Sequence, residues 1–118
     1  MAEYHEPLED LPQEAIEYHR IIQSVIEELE AVNWYNQRAA ATDDETVRGI
    51  VAHNRDEEIE HACMGLEWLR RNSEVWDEYL REFLFTEEEI TEIEDHGEEE
   101  EENEKMSGEG SLDIGDLD

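Results

Sequence analysis

The sequence predicts an all-α protein in which two long helices form an antiparallel hairpin and a short third helix follows. Three observations predict this class. From Gln13 to about Ala40 the chain has neither Gly nor Pro, and apolar residues recur at helical spacing. A second stretch with the same periodicity follows after a few polar residues, and helices joined by so short a loop pack antiparallel. Beyond residue 86 the apolar pattern stops and acidic residues dominate.

The first helix is expected to follow an N-terminal lead-in, residues 1–12, in which Pro7 and Pro12 oppose helix formation. It begins at Gln13. Residues spaced three and four apart lie on one face of a helix, so this spacing predicts one continuous apolar stripe. The stripe comprises Ile16, Ile22, Ile26, Leu29, Val32 and Tyr35.

The second helix is expected to begin after Thr42, because a Thr followed three residues later by Glu45 is a capping-box pattern. It extends to about Arg71. Arg70 and Arg71 fall in its last turn, where positive charge interacts favourably with the helix dipole. Its apolar residues are Val47, Ile50, Val51, Ile59, Ala62, Leu66 and Leu69.

A short third helix is expected from an N-cap at Asn72 or Ser73 to about Phe85. The folded domain would then span residues 13–86. Residues 87–118 contain few large apolar residues and the run "EEEEENE", so they cannot bury enough surface to offset the entropy lost on ordering. We therefore expect this acidic tail to be disordered.

The charge of the chain excludes several classes of partner. Its net charge is −29, of which residues 1–86 contribute −14 and residues 87–118 contribute −15. Nucleic acids and anionic membranes require a basic surface, so neither is an expected partner, whereas cations are attracted.

A single cysteine, Cys63, allows no intrachain disulfide and fits a reducing compartment. The N-terminus lacks the features of a signal peptide, and no apolar run reaches membrane length.

Glu28 is the first candidate metal ligand, because it lies within the apolar stripe of the first helix. Its neighbours at helical spacing are apolar or aromatic except for one serine. A carboxylate in such surroundings is costly unless its charge is compensated. Pairing with an arginine at an interface, or a position at the edge of the stripe, would also explain it. Those neighbours are Ile21, Ser24, Val25, Ala31, Val32 and Tyr35.

Glu58 and His61 form a Glu-x-x-His spacing on the second helix. They share a seam of alternating three- and four-residue steps with Gly65 and Trp68. A carboxylate beside an imidazole suits iron, manganese or zinc. Because acidic helices produce this spacing by chance, a solvated charged face is the alternative for the pair taken alone. Together with Glu28 on the facing helix, the pattern favours a metal site.

The number of ligands predicts that the site is shared between two chains. One hairpin supplies Glu28, Glu58 and His61, which are too few to hold two metal ions in a closed site. Two copies related by a two-fold axis supply two lone Glu residues and two Glu-x-x-His pairs, the set used by four-helix di-iron proteins. The hairpin is therefore expected to be half of a four-helix bundle that dimerisation completes.

Five runs of residues resemble the encapsulated ferritins: "HEPLE", "VIEELEAVNWYNQR", "AHNRDEEIEH", "LEWLRRN" and "FLFTE". The resemblance covers about residues 5–87 almost without gaps. It implies a ferritin-like helical hairpin with a short third helix, and a ferroxidase centre between two chains. It also implies that the dimers assemble into a ring of ten subunits.

The resemblance implies functions for further residues. The iron ligands are implied to be Glu28, Glu58 and His61, with Tyr35 and Trp34 close to them. Glu27 and Glu30 match an acidic site at which metal ions enter, suited to Ca²⁺ or other divalent ions, and His53 matches a histidine near a peripheral metal position. Solvated helix surface is the alternative for Glu27 and Glu30, and packing is the alternative for Trp34.

The end of the chain contains a small apolar cluster on a polar tether. Leu112, Ile114 and Leu117 are spaced among glycines at about residues 110–117, an arrangement suited to docking in a groove of another protein. A functionless end is the alternative on composition alone. The run "SLDIGDL" resembles the peptides that load cargo into encapsulin shells, although Asp113 and Asp116 depart from the commoner pattern.

The sequence therefore predicts a ferroxidase that oxidises Fe(II) to Fe(III) with O₂ at a di-iron centre between two copies of the chain. The resemblance places it in the cytoplasm inside an encapsulin nanocompartment, where it would serve iron storage and detoxification. Two alternatives stay open: a non-catalytic metal-binding buffer, and a structural cargo adaptor in which only the tail is functional.

Overall fold

A computed structural model describes residues 4–93, which contain three α-helices and one short 3₁₀ helix, with no strand in that range. Residues 90–93 are helical as well, although the acidic tail from residue 87 was expected to be disordered. The 3₁₀ helix spans Leu8–Asp10. The α-helices are α1 (Gln13–Ala41), α2 (Glu45–Asn72) and α3 (Glu74–Phe83). The predicted all-α class is confirmed. The predicted peptide at about residues 110–117, with Leu112, Ile114 and Leu117, lies outside the described residues.

The chain divides into two compact units, the first ending at Trp68 and the second beginning at Leu69. The domain boundaries expected after residues 12 and 86 stay predictions. Within residues 4–93, none of the helices combines the length and apolar character that crossing a bilayer requires.

In the first unit, polar contacts show that α1 and α2 run antiparallel. Near the loop, Nε of Arg48 donates to the carbonyl oxygen of Ala39 at 3.1 Å. Further from the loop, Nη1 of Arg55 donates to Oδ1 of Asn36 at 3.0 Å. The hydrogen-bonded residues lie progressively further from the loop on both helices, as expected for the predicted antiparallel hairpin.

The observed start of α2 differs from the predicted one. Oδ1 of Asp44 accepts hydrogen bonds from the backbone N–H groups of Thr46 at 2.9 Å and Val47 at 3.1 Å, so Asp44 is the N-cap of α2. The prediction of Thr42 was wrong because α1 extends up to that residue. The backbone N–H of Thr42 donates to the carbonyl oxygen of Arg38 at 3.1 Å and thereby ends α1.

The hairpin buries few side chains. Its buried apolar residues are Val25, Ala39 and Ala62 in the first unit, and Leu69 of α2 is buried in the second unit. Several large apolar side chains on both helices are exposed. Exposed apolar surface of this kind is typical of a site of contact with another protein chain. Those with at least two fifths of their surface accessible include Ile26, Leu29, Trp34, Ile50, Ile59 and Met64.

In the second unit, Ser73 is the N-cap of α3, and its Oγ accepts from the backbone N–H of Trp76 at 3.3 Å. This confirms one of the two predicted caps. α3 ends at Phe83, two residues before the predicted end. Leu84 is its C-cap, and Phe85 adopts a positive φ of 62°, which terminates the helical backbone.

Asp77 on α3 is a buried carboxylate held by two arginines. Its Oδ1 accepts from Nη1 of Arg70 at 2.6 Å and from Nε of Arg81 at 2.8 Å. Burial alone would raise the pKa of Asp77, but the hydrogen bonds and charges of Arg70 and Arg81 outweigh it, so the pKa lies below its ordinary value. These ion pairs join the last turn of α2 to α3.

Candidate metal centre

Glu28 lies on a half-buried face of α1. This face differs in part from the predicted apolar stripe, because Ile26 and Leu29 are exposed. Val25, one turn before it, is buried, and Val32, one turn after it, is half-buried. Glu28 itself is half-buried, whereas Glu27 and Glu30 are exposed. Among residues 4–93 no arginine pairs with Glu28, so an ion pair within that range does not explain its position.

Glu58 and His61 lie side by side on α2, as their spacing predicts. Nδ1 of His61 is 3.0 Å from Oε1 of Glu58, within hydrogen-bond distance. The Glu58 side chain is 28% exposed and the His61 side chain is 45% exposed. Both therefore sit at the edge of the single hairpin, where a further group can still approach them.

The hairpin brings all three predicted ligands together. One ligand atom from each of Glu28, Glu58 and His61 lies within 4.8 Å of the other two. Within the described part of the chain this is the one group of three or more carboxylate, imidazole or thiol side chains so arranged. Two carboxylates and an imidazole form a donor set that fits iron, manganese or zinc.

The pKa values of two of the three side chains in the cluster are shifted upward. Burial raises the pKa of Glu28; His61 lowers it, and the charges of Glu58 and Glu27 raise it further. The hydrogen bond to Glu58 is the main reason that the pKa of His61 is raised; burial opposes this rise, and the nearby carboxylates reinforce it. The pKa values of Glu28 and His61 are therefore both raised, by burial at Glu28 and by the hydrogen bond to Glu58 at His61.

The remaining predicted site residues lie outside this cluster. Glu27 accepts a hydrogen bond from Nε2 of Gln23 at 3.3 Å, and Glu30 is exposed on the same helix. His53 is exposed, with its Nε2 3.5 Å from Oε1 of Glu57. The functions assigned to Glu27, Glu30 and His53 stay predictions.

The two aromatic residues predicted near the ligands differ in their surroundings. Tyr35 is half-buried, and the guanidinium carbon of Arg38 lies 5.2 Å from the centre of its ring. Trp34 is exposed. The link of both residues to the site rests on the resemblance.

Gly65 is a contributor to this region that the sequence pattern did not single out. It was placed on the seam of Glu58 and His61 but given no function. It lies one turn beyond His61 on α2 and approaches Val25 of α1 closely. A glycine in the interior of a long helix was the available signal, since glycine is disfavoured there unless a close approach requires it.

Comparison with known proteins identifies the family. Residues 3–87 match the model of the EncFtn-like family. The chain belongs to this family. It is 52% identical, over 120 aligned positions, to the encapsulated ferritin-like protein of Rhodospirillum rubrum, an alignment that covers 96% of this chain and 86% of the relative. It is 57% identical over 93 positions to the ferritin-like protein of Thermotoga maritima, covering 79% of this chain and 82% of the relative.

A solved structure supports the EncFtn-like fold. A crystal structure of a protein from Nitrosomonas europaea superimposes with a TM-score of 0.72 at 50% sequence identity, covering 74% of this chain and 96% of that one. The family that the sequence resembles is thus confirmed, together with its all-α, ferritin-like fold.

Proposed function

We propose that this EncFtn-like protein is a ferroxidase, which oxidises Fe(II) to Fe(III) with O₂ at a di-iron centre formed between two copies of the chain. The observation that carries the proposal is the convergence of Glu28, Glu58 and His61 within 4.8 Å. Two neighbouring carboxylates repel each other unless a cation lies between them. Together with an imidazole, they are suited to bind Fe(II) and to hold Fe(III) after oxidation.

The second copy enters the proposal because three ligand groups do not enclose two ions. A carboxylate-bridged pair of metal ions in a four-helix bundle takes one Glu from each of two helices and a Glu-x-x-His pair from each of the other two. Two hairpins provide that set. The exposure of Glu58 and His61, and of Met64 one turn beyond His61 on the same helix face, supports a partner hairpin against this face.

Each ligand would contribute differently to the reaction. Glu28, held in the apolar stripe of α1, would supply negative charge where water is scarce, which favours the more highly charged Fe(III) product. Glu58 and His61 would complete the donor set from α2.

The assembly and location are proposed from the family. One relative is named an encapsulated ferritin-like protein, and a hairpin ring has no closed cavity of its own. We therefore place this chain, as a ring of ten, inside an encapsulin shell, to which Leu112, Ile114 and Leu117 would dock it. The shell would store the Fe(III), and the compartment would lie in the cytoplasm.

Oxygen consumption tests the ferroxidase proposal. Adding Fe(II) to the metal-free protein in aerated buffer should consume O₂ faster than protein-free buffer does. Outer-shell changes at metal sites typically reduce activity about 10–100-fold, so Glu58→Ala, which removes a direct ligand, should lose at least about tenfold. Glu60→Ala removes an exposed carboxylate from the same helix and should react like the wild type.

Two results would contradict the proposal. Stoichiometric Fe(II) binding without O₂ uptake would identify a metal buffer. Full activity in variants lacking Glu28, Glu58 and His61 would leave only an adaptor function for the chain.

A further inference from the structure

Gly65 lies at a close approach of α1 and α2, one helical turn from the candidate metal ligand His61. A Cβ atom added to Gly65 would lie 2.5 Å from Cγ2 of Val25 and 3.7 Å from Cγ2 of Ile21. Carbon atoms in ordinary contact are about 3.5–4.0 Å apart. Any side chain at position 65 would therefore push against α1.

The contact lies one helical turn from the ligands on both helices. Gly65 follows His61 by four residues on α2, and Val25 precedes Glu28 by three residues on α1. Residues three and four apart occupy the same helix face. The separation of the helices at Gly65 and Val25 is therefore transmitted directly to the neighbouring turn, which carries the ligands.

The other glycine of α2 has no such contact. Gly49 has no atom within 4 Å of an added Cβ atom. The close approach to α1 is thus specific to position 65 and is not found at Gly49.

We propose that Gly65 is a positioning residue for the metal centre: by letting α2 pack against Val25, it sets the helix separation at which Glu28 reaches Glu58 and His61. The inference rests on the proposed metal-binding function of these three residues. The inference concerns only the contact between Gly65 and Val25, so it can be wrong even if Glu28, Glu58 and His61 do bind metal.

Neither side of the contact has room to give way easily. Val25 is 7% exposed, and valine in a helix strongly prefers one side-chain rotamer. Relieving a 2.5 Å contact requires the helices to separate by about 1 Å to restore ordinary carbon contact. Metal–ligand distances tolerate only about 0.2 Å. Gly65→Ala should therefore weaken metal binding much more than it changes helix formation.

Anaerobic titration with Co(II), followed by its absorption spectrum, tests the inference on the full chain. Gly65→Ala should raise the Co(II) dissociation constant at least about tenfold, since indirect changes at metal sites cost about 10–100-fold. Gly49→Ala is the matched control, because it is the same substitution in the same helix without the contact, and it should bind as the wild type does. Circular dichroism of the metal-free proteins checks that helical content is retained.

A compensating variant separates the contact from a general effect of alanine. In Gly65→Ala/Val25→Ala the Cγ2 atom at 2.5 Å is gone, and the remaining neighbours, at 3.7 Å and 3.9 Å, are in ordinary contact. Co(II) affinity should then recover to within about threefold of Val25→Ala alone. This pair decides the question even if Gly65→Ala alone loses helical content.

Two outcomes would overturn the inference while leaving the metal centre intact. One is wild-type Co(II) affinity in a folded Gly65→Ala variant, which would show that the ligands adjust without this spacing. The other is a double variant that binds at least tenfold more weakly than Val25→Ala. Absence of Co(II) binding by the wild type would instead contradict the proposed metal centre.

Discussion

Metal binding should drive association of this chain, because the proposed centre is complete only when two copies meet. In the absence of metal, association would bring together two copies each of Glu28 and Glu58, both acidic, and the pKa of Glu28 is already raised by burial and further raised by Glu58 within one chain. Adding Fe(II), or Co(II) as a redox-stable substitute, compensates this repulsion. The perturbation is therefore the metal ion, and the response is the monomer–dimer equilibrium.

The size of the effect follows from the number of ions held between the chains. Each hairpin provides one group of three ligands, so two hairpins hold two ions. A ligand at 100 times its dissociation constant stabilises the state that binds it by about 2.7 kcal/mol, and two ions give about 5.4 kcal/mol. Since about 1.4 kcal/mol corresponds to a factor of ten, the dimer dissociation constant should fall by about 10⁴-fold.

Anaerobic sedimentation velocity can measure this shift at a protein concentration below the metal-free dissociation constant. The weight-average mass of the wild type should rise when Co(II) is added and fall again with a chelator. Glu58→Ala should abolish the rise, because each half of the site then lacks a ligand, whereas Glu60→Ala should retain it. An equilibrium that Co(II) leaves unchanged, or a rise of the same size in Glu58→Ala, would refute a centre shared between chains.

Two further predictions concern the second unit and the end of the chain. The pKa of Asp77 is lowered by Arg70 and Arg81, against the effect of burial, so its stabilising charge is fully present above the ordinary value of 3.8 and is lost as the pH falls through the lowered folded value. Below about pH 4 the melting temperature of the wild type should therefore fall more steeply than that of Asp77→Asn, and parallel curves would contradict this. Deleting residues 107–118 should prevent loading into an encapsulin shell while leaving O₂ consumption unchanged. Undiminished loading, measured by co-purification with the shell protein, would exclude the targeting function.

The helices were predictable because their signals are local. Long stretches without Gly or Pro, with apolar residues at helical spacing, fix the existence of α1 and α2. The start of α2 was less predictable, since Thr42 and Asp44 both favour helix N-termini. The choice depended on how far α1 extends, and Asp44 becomes the cap only because Thr42 already ends the preceding helix.

The ligands were predictable for a related reason. Glu28 stands out against its own helix, and Glu58 and His61 stand out by their spacing, so each half of the cluster is visible without the other. The function of Gly65 could not be predicted in this way, because it depends on which residue of α1 faces it. Only the structure identifies that residue as Val25.

The geometry of the hairpin explains why these particular positions meet. Glu28 lies 13 residues before the end of α1, and Glu58 lies 13 residues after the start of α2. At about 1.5 Å per residue, both lie about 20 Å from the loop and are therefore level with each other across an antiparallel pair. Arg48 fixes the loop end of this pairing by donating hydrogen bonds to the carbonyl oxygens of Ala39 and Thr42.

Level positions are necessary for the cluster but do not suffice, since a shift of one residue along α2 would rotate a side chain by about 100° away from α1. The rotation of each helix must also be correct, and the distance between the helix axes must be short. The rotation of α1 turns Val25, Glu28 and Val32 toward α2, and the contact of Gly65 with Val25 brings the two helices close together. The same packing that stabilises the hairpin thus places Glu28, Glu58 and His61 together at its edge, where the proposed cation and second hairpin would meet them.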